Sequence, residues 1–242
     1  MLYKEGFENS IRRWNAFWCH DVADRPPLVL HFRQEGDEGQ ALPTQQPTPE
    51  DFEKQFDLDY VSEHAKRAEA RFAERAGFAD DTLPQISGPA GLAVTGWLFG
   101  CKVEIAAGIP WVEPILERID EWHSIDFAAT ERRFQRILEV IRALVARSQG
   151  RYAVCTSAPD GPADMAVRIL GEQKLALALY ENPAEVESLF AFCTGLWRDI
   201  VRRKLKIIPI YGGGTATAWS YWVPGKGCSF QEDFGQMISP RL

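Results

Sequence analysis

RYAVCTSAPDGPADMAVRILG, residues 151–171, decides how the chain is read. RYAVCTS is a short apolar run of the kind that forms a buried strand. Asp160, Gly161 and Pro162 interrupt it, and helical periodicity begins behind the proline. Asp160 and Asp164 bracket Gly161-Pro162-Ala163 just past the strand. Carboxylates at such a strand end are placed to orient a base or bind a cation. Capping the next helix is the equal alternative for Asp160.

Working outward, the same alternation of strand, loop and helix recurs. Phe7, Ile11, Trp14, Phe17 and Trp18 form a helical stripe over Glu5 to Cys19, and Pro26-Pro27 then ends helix and opens a short strand, Leu28 to Phe32. Thr48, Pro49, Glu50 and Asp51 read as a helix start, and a second helix, 60–77, stops at Gly77. The nearly uncharged stretch 83–108 suits a buried strand, a close backbone approach and a short apolar helix. IPWVEPILERIDEW, from Ile109, reads as another helical piece, and 124–150 is the clearest helix, with Phe127, Phe134, Ile137, Leu138, Ile141, Leu144 and Val145 on one face. Two short helices and a long one follow Gly161-Pro162. KIIPIYGGG, 206–214, reads as a strand ending in glycines, and KGCSFQED, 226–233, as one more. These spacings exceed a hairpin's, so a mostly parallel α/β arrangement follows.

Lys and Arg number 27 against 34 Asp and Glu, a net charge of -7, so the surface field repels a phosphate backbone and nucleic acid is not an expected partner. The start, MLYKEGFENS, lacks the apolar core of a secretory signal, and no later run is long and apolar enough to span a bilayer. A cytoplasmic protein with no membrane partner is expected. Its five cysteines lie far apart, without CxxC spacing, and fit free thiols.

Gly212-Gly213-Gly214 has neither dinucleotide-fingerprint nor phosphate-loop spacing, and HExxH is missing. His31 and Arg33 end the first strand, as an edge-strand polar pair or, with Gln34, Glu35, Gly36 and Asp37, as a loop mouth holding a fork-shaped cation and two carboxylates where acidic groups on a substrate could be clamped. Glu232 and Asp233 are adjacent after a later strand, so each shifts the other's proton affinity if enclosed. Trp97, Trp111, Trp219 and Trp222 neighbour glycine or proline and could line a flat-ligand pocket, or simply pack the core.

Four segments resemble the uroporphyrinogen decarboxylase superfamily, which also holds cobalamin- and corrinoid-dependent methyltransferases: RPPLVLHFRQEG (25–36), APDGPADMAVRILG (158–171), LALALYENPAEVESLF (175–190) and QEDFGQMISP (231–240). The resemblance extends through nearly the whole chain. It implies an α/β fold of the TIM (β/α)8-barrel type, with residues 1–242 as one barrel domain incomplete at its C-terminus and residues 1–25 as a helical extension. About five strands can be counted where the barrel has eight, and Ser239-Pro240 looks like the opening of a further helix.

The resemblance also implies an activity: a carboxy-lyase acting on a tetrapyrrole or other acidic small molecule, with no cofactor. Arg33 matches the family's first substrate-binding arginine. Its second arginine falls at Asp37, its catalytic aspartate has no secure match around Pro84 to Gly91, its tyrosine falls near Val167 or Arg168, and its late histidine past Leu242. Asp160 and Asp233 are the catalytic candidates, and Arg33, His31, Gln34, Asp164 and Trp222 the substrate-binding ones. The rival branch implies a methyltransferase using zinc and a corrinoid, with metal ligands past Leu242. A third reading is a non-catalytic binding protein. An open barrel exposes apolar sheet edges, so self-association as a homodimer is expected.

Overall fold

The computed structural model describes residues 1–30, 48–91, 93–155 and 159–238. His31, Arg33, Gln34 and Asp37 lie outside the described residues, as does the helix opening expected at Ser239-Pro240.

The organising element is a parallel pair. Strand β1 (Gln85–Ser87) lies beside β4 (Ala153–Cys155) in the register Gln85–Ala153, Ile86–Val154, Ser87–Cys155. β4 is buried throughout, and alternation sends its side chains to two sides. Val154 joins the main core with Ile86, while Ala153 and Cys155 join a second cluster containing Ile11, Trp14, Tyr211 and Trp222. A strand pair covered on both faces is the setting that parallel pairing requires.

Helix α5 (Phe127–Ser148) leads into β4. Asp126 caps it by accepting the Ala129 N–H at 2.9 Å, and left-handed Gln149 and Gly150 end it. Of its expected stripe, Phe134, Ile137, Leu138, Ile141 and Leu144 are buried, each contributing roughly 1.5–3 kcal/mol by leaving water, while Phe127 is exposed and Val145 half-buried. Gly88, directly after β1, permits this packing: a Cβ there would lie 2.7 Å from Ile141 Cγ1.

The amino-terminal stripe forms α1 (Phe7–Trp18), and Thr48 heads α2 (Pro49–Glu53) through a reciprocal capping box with Asp51. A 3-10 turn follows at Lys54–Phe56, and Asp57 caps α3 (Leu58–Arg75). Asp80 and Asp81, just before β1, tie these parts together. Asp81 is inaccessible to solvent and receives Arg13 at 3.0 Å and the Leu28 N–H at 2.9 Å. Lys4 meets Asp80 at 3.1 Å, and Arg75 and Thr82 also bind that carboxylate. Burial acts to raise both acids, but these hydrogen bonds outweigh it and hold both below the usual carboxylate range.

Four expectations are corrected. IPWVEP is not helical: β2 (Lys102–Ala106) and β3 (Ile109–Glu113) form an antiparallel hairpin. Ala107 and Gly108 both have positive φ, 51° and 77°, the two-residue turn that matches strand twist. Only Ile119–Ser124 is helical, as a 3-10 turn. The hairpin lies under α4 (Ala93–Phe99), where Gly96 allows the approach: a Cβ there would sit 2.7 Å from Val112.

KIIPIYGGG is not a strand before its glycines. After α6 (Pro162–Leu170) and α7 (Glu172–Glu181), helix α8 (Pro183–Ile207) runs into this segment, and the strand begins at its last glycine. There β5 (Gly214–Ala216) pairs antiparallel with β6 (Trp222–Pro224). A Cβ on Gly214 would meet the Val223 carbonyl at 2.1 Å, so this pairing needs glycine. KGCSFQED contributes no strand, only a single parallel bridge between Gln231 and Asp160. Finally, the sheets are not mostly parallel: of three ladders among the described residues, two are antiparallel, and together they close no barrel.

Candidate functional site

The parallel register directs the exits of β1 and β4 to one rim, which therefore holds Ser87 to Gly91 from one strand and Pro159 and Asp160 from the other. In open α/β sheets, ligands bind outside the carboxyl ends of the strands. Two cavities flank the shared wall Pro89-Ala90. One, about 250 Å³, is lined by Gln55, Tyr60, His64, Ser87 and Gly88. The other, about 20 Å³, is lined by Gly91, Thr95, Pro159, Met165 and Lys204. The Ala90 N–H donates to Gln55 Oε1 at 3.0 Å, fixing the wall to the turn after α2. His64 is lowered from the ordinary imidazole range by burial, then by Arg71 and Arg67, and so favours its neutral form at pH 7.

Asp160 is buried, and Arg168 Nε donates to its Oδ2 at 2.9 Å. Burial pushes its carboxyl upward more than Arg168 and the Thr95 hydroxyl pull it down. It does not cap α6. That helix begins at Gly161 without a cap from its own side chain, and Glu232 reaches across to accept the Asp164 N–H at 2.9 Å and the Ala163 N–H at 3.3 Å. Glycine lets this carboxylate sit close, since a Cβ on Gly161 would lie 2.0 Å from Glu232 Oε2 and force it to shift. Burial raises Glu232 as well.

Asp164 is buried with both oxygens engaged, accepting the N–H groups of Asp233 and Phe234 at 2.9 Å each. Asp233 itself is exposed, and its carboxylate receives the Gln231 side chain. Asp160, Asp164, Glu232 and Arg168 are thus brought together, with Asp233 at their outer edge. Trp222 is not among them. It lies in the second core cluster, 1% exposed, its indole N–H donated to the Tyr211 carbonyl at 2.8 Å.

The remaining aromatic candidates also separate. Trp97 stacks on Phe56 at 4.0 Å in the main core, while Trp111 and Trp219 are exposed. A larger cavity, about 410 Å³, lies elsewhere, between Glu117–Asp120 and α7. Its cations are already paired, Lys174 with Glu117 and Arg118 with Asp120, each at 2.7 Å.

No family model, curated protein or solved structure matches the chain. Among the described residues, no three His, Cys, Asp or Glu side chains are grouped to hold a metal ion, and no helix is long and apolar enough to cross a membrane. All five cysteines are free thiols, and burial pushes Cys155 and Cys193 up to about 12.

Lys204 was not singled out from the sequence. Its signal is positional: Val186, Leu189, Cys193, Ile200 and Lys204 are the buried residues of α8, so a lysine occupies an apolar-stripe position. Burial draws its ammonium down to about 8, against a smaller opposing effect of Cys228.

Proposed function

We propose that this chain belongs to a (β/α)8-barrel enzyme of the uroporphyrinogen decarboxylase type, acting in the cytoplasm as a carboxy-lyase on a tetrapyrrole or other acidic small molecule. The observation that supports this best is the β1–β4 register, which brings Ser87–Gly91 and Pro159–Asp160 to one rim beside two cavities. The four segments that resemble the superfamily support it independently.

In this reading Asp160 is the acid-base group. Decarboxylation breaks the bond between the carboxylate carbon and its methylene, releases CO2, and delivers a proton to the carbon left behind. A carboxyl raised by burial holds a proton more readily than an exposed one, and its conjugate base stabilises a protonated pyrrole. Arg168 orients it through the 2.9 Å hydrogen bond. Asp160 adjoins Pro159 and is bonded by Thr95, both of which line the smaller cavity. Arg33 clamps an acidic arm of the substrate by analogy with the family arginine.

Anaerobic assay with uroporphyrinogen tests the reading. CO2 release with appearance of less carboxylated product is expected, falling about a hundredfold or more in Asp160→Asn. No binding and no CO2 would sink it, and stoichiometric zinc in the purified protein would move the assignment to methyl transfer.

A further inference from the structure

The larger of the two cavities beside Pro89-Ala90 has an apolar floor that includes Val61, Ile86 and Leu144, and a short polar set, Tyr60, His64 and Ser87. These three are exposed, so they stand at its opening. Among the described residues none of their side chains has a hydrogen-bond or ion-pair partner. Gln55, the remaining polar side chain, is used at both ends, by the Phe52 carbonyl and the Ala90 N–H.

Helix α3 extends this opening with positive charge. Its buried stripe is Val61, Ala65 and Ala68. Tyr60, His64, Arg67 and Arg71 follow one another at steps of four, three and four, so they share one flank of that stripe. The opposite flank is occupied, Ser62 and Glu69 meeting Arg147 of α5 at 3.5 and 3.2 Å. A helical side chain leans toward the amino terminus of its helix and covers the turn before its own. Arg67 and Arg71 therefore lean back toward His64, and both act electrostatically on its imidazole. Both are exposed, and among the described residues neither has an ion pair. Glu63, one turn before Arg67, is taken by Lys66, and Glu69 by Arg147 and Arg151.

We propose that this cavity takes a small carboxylate with a flat apolar body, the body lying on Val61, Ile86 and Leu144 and the carboxylate held at the His64 side by Arg67 and Arg71. The proposal rests on the reading of the rim as the site of an acidic small molecule, and narrows that ligand to one ring bearing one acid. Charge fixes the orientation, because the floor is apolar and the two uncommitted guanidinium groups lie on one side of the opening. Guanidinium suits the role, since its fork binds a carboxylate through two parallel hydrogen bonds. Volume fixes the size: about 250 Å³ lies below the range that encloses a drug-sized ligand, so of anything larger only one ring and its acidic arm enter.

The test is isothermal titration calorimetry of the whole chain at pH 7 with benzoate, benzamide and inorganic phosphate. Benzoate should bind about tenfold or more tightly than benzamide, which keeps the ring without the charge, and than phosphate, which keeps charge without the ring. The double variant Arg67→Gln/Arg71→Gln should bring benzoate down to the level of benzamide and leave benzamide unchanged. Both positions are exposed, so these substitutions spare the fold. Ser87→Phe, which fills the opening, should remove binding of both ring probes. Benzoate binding that survives either variant unchanged overturns the proposal. Phosphate binding as tight as that of benzoate also overturns it, because the cavity then contributes nothing. Failure of benzoate to bind overturns it as well, while CO2 release from uroporphyrinogen by the same preparation leaves the decarboxylase reading standing. Arginine-dependent benzoate binding by a chain that leaves uroporphyrinogen unchanged sustains the proposal and sinks the tetrapyrrole reading.

Discussion

Asp164 and Glu232 each cap the chain segment that carries the other. The Asp164 backbone N–H donates to Glu232 Oε1 at 2.9 Å, while the Asp164 carboxylate accepts the N–H groups of Asp233 and Phe234, also at 2.9 Å. The clasp fastens residues 231–237 to the start of α6 and holds Asp160 between them through its bridge to Gln231.

Asp164→Ala leaves two backbone donors without their acceptor, one of them buried. Stability should fall by about 2–3 kcal/mol in urea unfolding, with faster amide exchange confined to residues 231–237. Removing Glu232 as well should cost less than the sum of the two single changes, because the two caps share one interface.

Gly161→Ala tests the same contact sterically. The glycine's φ of -69° suits any residue, so the obstacles are steric: the Glu232 carboxylate 2.0 Å from the new methyl and the Gln231 carbonyl at 3.1 Å. A loss of about 1–3 kcal/mol is expected. Gly195→Ala, inside α8 with nothing within 4 Å, should instead stabilise by about 0.5–1 kcal/mol. Equal effects at the two sites in thermal melts would refute the clasp geometry.

Acid should unfold the chain through Asp80 and Asp81. Both are held below their unfolded values, so the folded state binds their protons more weakly than the unfolded state does. Their stabilisation is therefore complete above the ordinary carboxylate range near 3.8 and drains away as pH falls through the lower folded values. Asp81→Asn removes the buried carboxylate that Arg13 and Arg25 share, although Arg13 keeps Asp24, and should cost about 3 kcal/mol at pH 7 and flatten the acid limb of stability against pH.

Lys204 has the opposite effect on the alkaline side. Its folded value of about 8 lies below the ordinary 10.5, so burying its charge costs stability at pH 7. Between those values the unfolded chain alone stays protonated, and stability rises with pH. Lys204→Met should melt later than the unsubstituted chain by roughly 2–3 kcal/mol at neutral pH, and the difference should vanish above pH 10.5.

Local chemistry explains which elements were legible in the sequence. The Thr48 box, the stripe of α5 and the Asn182-Pro183 opening of α8 announce themselves within one or two helical turns, and all three form. The hairpin was hidden by Pro110 and Pro114, which resemble helix punctuation, although Ala107-Gly108 between alternating segments is a turn signal. Gly214 read as the end of a strand because a sequence does not reveal that the Val223 carbonyl presses against it. Asp160 and Asp164 were found as a pair, but their division of labour depends on Arg168 and Glu232, the latter 68 residues from Asp164 in sequence. The roles of Asp80, Asp81 and Lys204 arise only from packing against distant elements.

Hydrogen–deuterium exchange with and without uroporphyrin tests the central claim most directly, because it reports where on the chain an acidic ligand sits. Protection at 85–91, 159–168 and 200–206 is the predicted result. Protection confined to 117–120 and 174–185, around the larger cavity beside α7, would contradict a site at the ends of β1 and β4.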